Sequence, residues 1–443
     1  MKIEIPHKVK KIIHILFESG YEAYIVGGCV RDSILGKKPK DWDIATSAKP
    51  DQVKALFKRT VDTGIKHGTV TVLFGKEGFE VTTFRIDGEY EDNRRPKDVI
   101  FTSSLEEDLK RRDFTMNAMA YNDRTGLIDL FGGQKDMKNG FICCVGNPVQ
   151  RFKEDALRMM RAVRFSGQFG YEIQKDTKKA IGQYAGDLNK ISMERISTEL
   201  QKLLLSPHPE KIEDAYRMGM TNVFLPEFDA MMDTRQSHPY HLYTVGEYTI
   251  KSLCYVPNNK IERLAMFFCH IGKPLSKTMD KDGIVHFHNY EELGEKITSQ
   301  VMRRLRYDNE SINKVSRLVR WHNYCPELIK KEVRKGIYKI GEDIFPFLFS
   351  IKRGDILAKG QSVQKEKLLY VDRLQDIYED IINNKDCISR KTLAISGKDL
   401  IEAGVPEGKE MGNILEELLN HVLENPQLNE KEQLLNILST LRT

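Results

Sequence analysis

The chain has 443 residues, 40% of them hydrophobic and 30% charged, which excludes a disordered or fibrous protein and fits roughly two to four folded domains. Its net charge of +5 excludes a global positive field, so any contact with nucleic acid has to come from local basic patches. Seven cysteines without a CxxC pair argue against a disulfide framework or a cysteine zinc site and fit a reducing cytoplasm, and no apolar run reaches the ~20 residues of a membrane-spanning helix.

The N-terminal MKIEIPHKVKKIIHILFESG is interrupted by charges throughout, unlike a signal peptide. Within it Val9, Ile12, Ile13, Leu16 and Phe17 recur at helical spacing and Gly20 follows as a stop, predicting an opening amphipathic helix. Short β-rich runs come next, YEAYIVGG, DWDIAT, GTVTVLF and FEVTTFRI, with a helical segment at KPDQVKALFKRT. They predict a small mixed sheet with helices. Residues 88–102, GEYEDNRRPKDVIFT, are polar and show neither periodicity, which reads as a mobile loop. EDLKRRDFTMNAMAY (107–121) places a basic pair, Asp113 and Asn117 ahead of small and apolar helix residues, and DLFGGQKDM (129–137) reads as a Gly turn. From about residue 151 onward the pattern is almost wholly helical, broken at SPHPE and GVPEG.

Chemistry concentrates in residues 26–46, VGGCVRDSILGKKPKDWDIAT. On a strand, alternate residues share a face, so Asp41 and Asp43 point the same way with Trp42 opposite. Carboxylates that close repel unless a cation joins them. Hard oxygen ligands completed by phosphates and waters suit Mg²⁺, and paired metals clamp the entering and leaving oxygens of a phosphoryl transfer. The Gly pair lets backbone approach a polyanion, and the first N–H groups of the helix expected from VRDSILG, with Arg31 beside them, suit a triphosphate. Each signal alone is weak; joined at this spacing they point to nucleotide chemistry. Glu80 in FEVTTFR is the candidate third carboxylate, Arg112 a bidentate ligand for triphosphate oxygens, and Asn117 a partner for a ribose hydroxyl.

In FKEDALRMMRAVRF (152–165) Asp155, Arg158, Arg161 and Arg164 follow at spacings of three, which puts neighbours on one slowly rotating helix face. A carboxylate only accepts hydrogen bonds and a guanidinium only donates them. Cytosine and adenine each offer an amino donor beside a ring-nitrogen acceptor, whereas uracil and guanine offer a carbonyl beside a ring N–H. One Asp-Arg pair therefore accepts C and A and rejects U and G.

The series GGCVRD, DWDIAT, TGIKHGTVTVL, EVTTFR, RRPKDVIF, RRDFTMNAM, DLFGG, RFKEDALRMMRAVRF and ISMERI resembles the class II tRNA nucleotidyltransferases, the bacterial CCA-adding enzymes of the polymerase-β-like superfamily. ISGKDLIEAGVPEGKEMGNILEELL and NPQLNEKEQLLNIL resemble the family's tail. The resemblance implies an α+β fold: a polymerase-β-like head (1–150), a nucleotide-reading helical neck (151–210), a helical body with a degenerate HD-like region (211–330) and a helical tRNA-binding tail (331–443). It also implies addition of C, C and A to tRNA 3′ ends from CTP and ATP. By matching position, Asp41 and Asp43 hold Mg²⁺, Gly28, Arg31 and Arg112 contact the nucleotide, and Asp155, Arg158, Arg161 and Arg164 belong to the base-reading motif.

The HD-like pattern departs from its relatives. EYT stands where EHT is expected, CHIGKP for HDIGKP and FHNY for a Gly-His pair, so Tyr248, Cys269, His270 and Tyr290 fill the ligand positions. His238, His241, His286 and His288 lie nearby in sequence, and the region reads as a helical scaffold rather than a metal centre. Poly(A) polymerase, a CC-only or A-only enzyme, an RNA-binding pseudoenzyme and a metal phosphohydrolase remain as alternatives. The aspartate pair argues against the pseudoenzyme, and the lost ligands against the phosphohydrolase.

Overall fold

A computed structural model describes residues 2–441 except 89, 92–94, 97–98, 237–242, 282 and 362–363. It forms two compact units, Met1–Pro226 and Glu227–Thr443.

The first unit opens with α1 (His7–Glu18), whose Val9, Ile12, Ile13 and Leu16 are buried as the periodicity predicts. Gly20 ends it at φ +86°, a left-handed conformation that favours glycine. Then follow β1 (Ala23–Val26), α2 (Gly28–Ile34), β2 (Ile44–Thr46), α3 (Pro50–Leu56), β3 (Thr60–Gly64), β4 (Thr69–Phe74) and β5 (Glu77–Thr83). Further on come β6 (Arg85–Asp87), β7 (Tyr90–Glu91), β8 (Arg95–Pro96), β9 (Val99–Phe101), α4 (Leu105–Lys110), β10 (Ala120–Asn122) and β11 (Gly126–Ile128). Seven of these strands make one sheet in the order β11-β10-β1-β2-β5-β4-β3. Only the β2–β5 pair in it is parallel, so the sheet is mixed, as expected. Tyr24, Val26, Ala45 and Phe84 pack with Leu105 and Leu109 of α4 into a core under the central strands.

The structure corrects three expectations. The stretch read as a loop at 88–102 carries paired backbone: β6 pairs antiparallel with β9, and β7 with β8. Ladder hydrogen bonds join main chains and need no apolar alternation. Ile86 opposite Ile100, both exposed, is the one apolar cross-strand pair in the β6–β9 ribbon. Thr115–Asn117 is a 3₁₀ turn leading into strand β10, not the start of a helix. Finally, 152–165 is not one helix. After α5 (Gly133–Asn139) and β12 (Phe141–Ile142), α6 (Pro148–Glu154) ends at Asp155, whose φ of −143° and ψ of 104° are extended, and α7 (Leu157–Phe169) starts afresh. Asp155 Oδ1 accepts the Leu157 N–H at 3.0 Å, the local side-chain bond by which aspartate competes with helical backbone. The helix α7 buries Met159, Met160, Ala162 and Val163. After β13 (Glu172–Ile173), parallel to β12, come α8 (Lys175–Tyr184) and α9 (Met193–Leu204).

Among the described residues the second unit is helical apart from a hairpin pairing Lys277–Met279 with Val285–Phe287 and a lone antiparallel bridge between Arg235 and Thr244. Its helices include Val245–Leu253, Lys260–Phe268, Tyr290–Arg304, Asn309–Trp321, Phe347–Leu357 and Gln364–Asn383. A C-terminal core of Leu400, Leu418, Leu419, Val422, Leu434 and Leu438 closes it.

Candidate active site

Four buried residues of β1 carry the chain to Gly27, which sits at φ +74° as the N-cap of α2. A Cβ on Gly27 would lie 3.0 Å from Arg112 Nη1, so this glycine serves both the turn and the close approach of a guanidinium. Asp41 and Asp43 stand just before β2, both exposed. The Asp43 carbonyl still accepts the Val26 N–H at 3.0 Å, which fixes the backbone between the two acids and β1. Although its surface is open, protein packed behind Asp43 raises its carboxyl pKa by desolvation; the Arg112 guanidinium opposes this and the Asp41 carboxylate adds to it. Two hard-oxygen donors whose charges disfavour each other fit a divalent cation completed by substrate oxygens and water. Among the described residues no three His, Cys, Asp or Glu side chains converge on a common point. Glu80 is exposed on β5, and the parallel register, Ile44 against Val81, brings it level with Asp43.

Arg112 links this turn to a cavity of about 260 Å³ lined also by Asp113, Asp155, Arg158, Arg161 and Arg195. Asp108, fully buried, holds Arg111 through Oδ1 (2.7 and 3.0 Å) and Arg112 through Oδ2 (3.2 Å). Burial would raise the Asp108 pKa, but the two arginines lower it further than burial lifts it. Among the described residues, buried Arg112 Nε has no hydrogen-bond partner. That orphaned donor is the kind a bound anion satisfies.

Arg31 faces inward rather than toward open solvent. Its Nη1 donates to Asn117 Oδ1 at 2.6 Å, its Nε to Asp32 at 2.9 Å, and its guanidinium lies 5.3 and 5.0 Å from the ring centroids of Phe165 and Phe169. Asn117 donates in turn to Asp113 Oδ1 (3.1 Å), and Asp113 Oδ2 accepts from Arg161 Nε (2.8 Å) and Nη2 (2.5 Å). A continuous hydrogen-bonded line thus runs from α2 to α7. Burial pushes the Asp113 pKa up, while Arg161, the Asn117 amide and Arg158 together hold it well below the usual carboxylate range.

The expected Asp155–Arg158 pair shares the cavity and a backbone hydrogen bond, the Arg158 N–H donating to the Asp155 carbonyl at 3.0 Å, but the two side chains bond to other partners. Asp155 Oδ2 accepts from Arg195 Nη2 at 2.9 Å, whereas Arg158 donates to Glu154 (2.6 Å) and to the Arg111 carbonyl (2.9 Å). Glu154 also takes Arg151 at 2.5 Å. Arg164 turns elsewhere: it pairs with Glu199 of α9 at 2.9 Å, lies 3.4 Å over the Phe165 ring and does not line the cavity. Gly28 lies beside Arg31, whose Nη2 would be 3.5 Å from a Cβ there. Sequence reasoning gave no role to Asp108, Asp113, Glu154 or Arg195. Glu154 directly precedes Asp155 and Arg195 lies in ISMERI, so their signal was adjacency to motif residues, which spacing alone does not convert into contact.

In the second unit the HD-like positions are filled and buried. Tyr248 donates to Asp355 (Oδ1 2.8 Å), His270 lies between Thr249 (2.9 Å) and Asp355 (3.3 Å), and Cys269 is fully buried. His322 Nδ1 donates to the Val319 carbonyl at 2.7 Å, so its Nε2 accepts from the Tyr290 hydroxyl at 3.0 Å. Burial pulls His270 down to about 4, helped by Lys273, and His322 likewise, helped by His270. The Lys273 ammonium lies 5.2 to 5.8 Å from the Tyr248, Phe287 and Tyr290 ring centroids. His286 and His288 stack on each other at the surface, while His238 and His241 lie outside the described residues.

Family comparison agrees with this geometry. Residues 23–143 match the poly A polymerase head domain, 170–232 the RNA- and SrmB-binding site of polymerase A, and 282–438 tRNA nucleotidyltransferase domain 2. The CCA-adding enzyme of Ligilactobacillus salivarius is 37% identical over 97% of this chain and 96% of its own. That of Anoxybacillus flavithermus is 38% identical over 96% and 94%. The crystal structure of the Bacillus stearothermophilus CCA-adding enzyme in complex with CTP superposes with a TM-score of 0.74 at 29% identity, covering 99% of this chain and 98% of that one. With an acidic pair at a Gly turn, an arginine-lined cavity beside it and relatives matched end to end, the chain belongs to the family of CCA-adding enzymes.

Proposed function

We propose that the chain adds C, C and A to the 3′ end of tRNA from CTP and ATP without a nucleic-acid template. The observation that carries the reading is the shared position of Arg112, against Gly27 and Asp43 on one side and in the cavity at the start of α7 on the other. A triphosphate on the first side and a base in the cavity would belong to one bound nucleotide.

In this reading Asp41 and Asp43 hold Mg²⁺, with Glu80 the third carboxylate at their level. When bound, the metal supplies activation of the tRNA 3′-hydroxyl and charge neutralisation on departing pyrophosphate. The chain's own residues orient the rest. Gly27 and Gly28 admit the phosphates, and Arg112 offers its unpartnered Nε–H toward them. Asp155 presents an acceptor and Arg158 a donor to the base edge, each held by a second residue, Arg195 and Glu154. Asp113 aims Arg161, Asn117 ties Arg31 to that pair, and Arg164 anchors α7 to α9. Attack of the 3′-hydroxyl on the α-phosphate expels pyrophosphate.

The division of labour we infer is a catalytic head at 1–150, a base-reading neck at 151–210, a body at 211–330 whose HD-like region is a scaffold, and a tRNA-binding tail at 331–443. No described helix is long and apolar enough to cross a membrane. Seven free cysteines fit the cytoplasm as the place of action. The test is product length: purified protein, tRNA lacking its last three nucleotides, and CTP, ATP or both. The expected product carries two added residues with CTP alone and three with both; a long A tract with ATP alone would instead identify a poly(A) polymerase.

A further inference from the structure

A second cavity, of about 410 Å³, opens in the C-terminal unit between helices Phe347–Leu357 and Gln364–Asn383 and the segment after Trp321. Its volume falls in the range of small-ligand pockets. On its wall Lys352 is 8% exposed. An ammonium has three protons to donate, and among the described residues its hydrogen-bond partner is the Cys325 thiol at 3.5 Å. The carboxylate acting on it, Asp355, is already committed: Oδ1 takes Tyr248 and His270, and Oδ2 takes Lys359 at 2.7 Å. A buried cation left with one weak sulfur acceptor is costly, and burial accordingly pulls its pKa down.

The remaining lining says what would relieve that cost. Ile351, Ile356 and Val371 give an apolar wall, and the Tyr370 ring is pinned by its hydroxyl, which donates to the Pro326 carbonyl at 2.6 Å. Lys352, Lys359 and the exposed Lys367 stand against two acids, Asp355, which is paired with Lys359, and the exposed Glu366, leaving one positive charge over. We propose that this cavity binds a small organic anion, an acidic group carried on a flat apolar body, with the acid on Lys352 and the body against Ile351, Ile356 and Tyr370. The assignment does not depend on the nucleotidyl-transfer site.

Cys325 reports occupancy because it lines the cavity and is exposed, while Cys254, also exposed, serves as internal control. The experiment measures N-ethylmaleimide alkylation of each by peptide mass in the full-length protein. Saturating phenyl phosphate or benzoate should slow Cys325 by about tenfold and leave Cys254 unchanged, and Lys352→Met should weaken the anion by about tenfold or more, the usual effect of losing a charged hydrogen bond. Lys367→Glu, at the exposed rim, should weaken it several-fold, and it carries the test if Lys352→Met does not fold. No protection by either anion, equal protection by benzyl alcohol, equal protection by inorganic phosphate, or an affinity unmoved by these substitutions would each overturn the assignment.

Discussion

Asp41, Asp43 and Arg112 show how much a residue type and its spacing convey. The acidic pair, the Gly turn and Asp155 were legible as residue types, but only Gly27 meets its local constraint, a positive φ; the pair stands before β2 rather than on a strand, and Asp155 sits in a break between helices rather than on one. Of their partners, Arg195 and Asp113 reach the site through folding across 40 and 48 residues, whereas Glu154 meets Arg158 at four residues' spacing, a local pair that the reading passed over. Asp43→Asn should reduce nucleotide incorporation to background under any divalent ion, because the amide keeps shape and loses the charge that holds metal. The same variant should be no less stable at pH 7. A carboxyl whose folded pKa is raised contributes stability below its unfolded pKa and loses it as pH rises, so at neutral pH the charge works against folding. Urea unfolding and a primer-extension gel decide both halves, and a full-rate enzyme would make these acids structural. Asp155→Ala should cost about 1–3 kcal/mol of discrimination for C and A over U and G. Arg164→Met should leave discrimination intact yet destabilise by about 3 kcal/mol, because buried Glu199 loses its close partner. Competition assays with mixed triphosphates separate the two variants, and equal selectivity loss in both would place Arg164 at the base.

At the scale of elements, helix α1 and strands β1, β2, β4 and β5 followed the apolar pattern, whereas β3, β10, β11 and the ribbon at 85–101 did not. Backbone pairing in the ribbon is invisible to a reading based on side-chain periodicity. The ribbon leaves the sheet after β5 and returns before α4, so it joins the catalytic strands to the helix that presents Arg111 and Arg112. Adenine is larger than cytosine, and one cavity serves both only if its walls are re-aimed after two additions. Replacing residues 88–98 by Asn-Gly keeps the Asp87–Val99 pair and closes the ribbon with a tight turn. The product should then stall after CC, with C addition close to normal. Completion of CCA at the ordinary rate would reduce the ribbon to a connector.

Across the whole molecule, a mixed-sheet unit precedes a helical one, and that order was plain from the change of periodicity near residue 151. The boundary between compact units at 226 was not, because helices continue across it without a composition shift. Nor did the sequence reveal that the HD-like positions form a neutral buried cluster. His270 and His322 titrate at about 4 when folded, against about 6.5 when unfolded, first through burial. The unfolded chain therefore binds more protons between these values, and stability is lost as pH falls from about 6.5 toward 4. At pH 5 the loss is on the order of 2 kcal/mol for His270, from ~1.4 kcal/mol per pH unit. Trp321, beside His322, is a natural probe once Trp42 is replaced by Phe. The urea midpoint should drop between pH 7.5 and 5, and less so in His270→Gln; an unchanged midpoint would mean that the folded cluster takes up protons as readily as the unfolded chain.

The break between α6 and α7 carries a thermodynamic corollary. Asp155 is the residue that ends one helix, starts the next and presents a carboxylate to the cavity, with Oδ1 on the Leu157 amide and Oδ2 on Arg195. Its side chain has lost its rotational freedom before any nucleotide arrives. The disorder that a free side chain would surrender on binding was surrendered during folding. In the proposed reading, selection at this position is therefore a matter of enthalpy and desolvation. Asp155→Glu would restore the lost freedom while preserving the charge, so a calorimeter should find its CTP binding weakened through entropy.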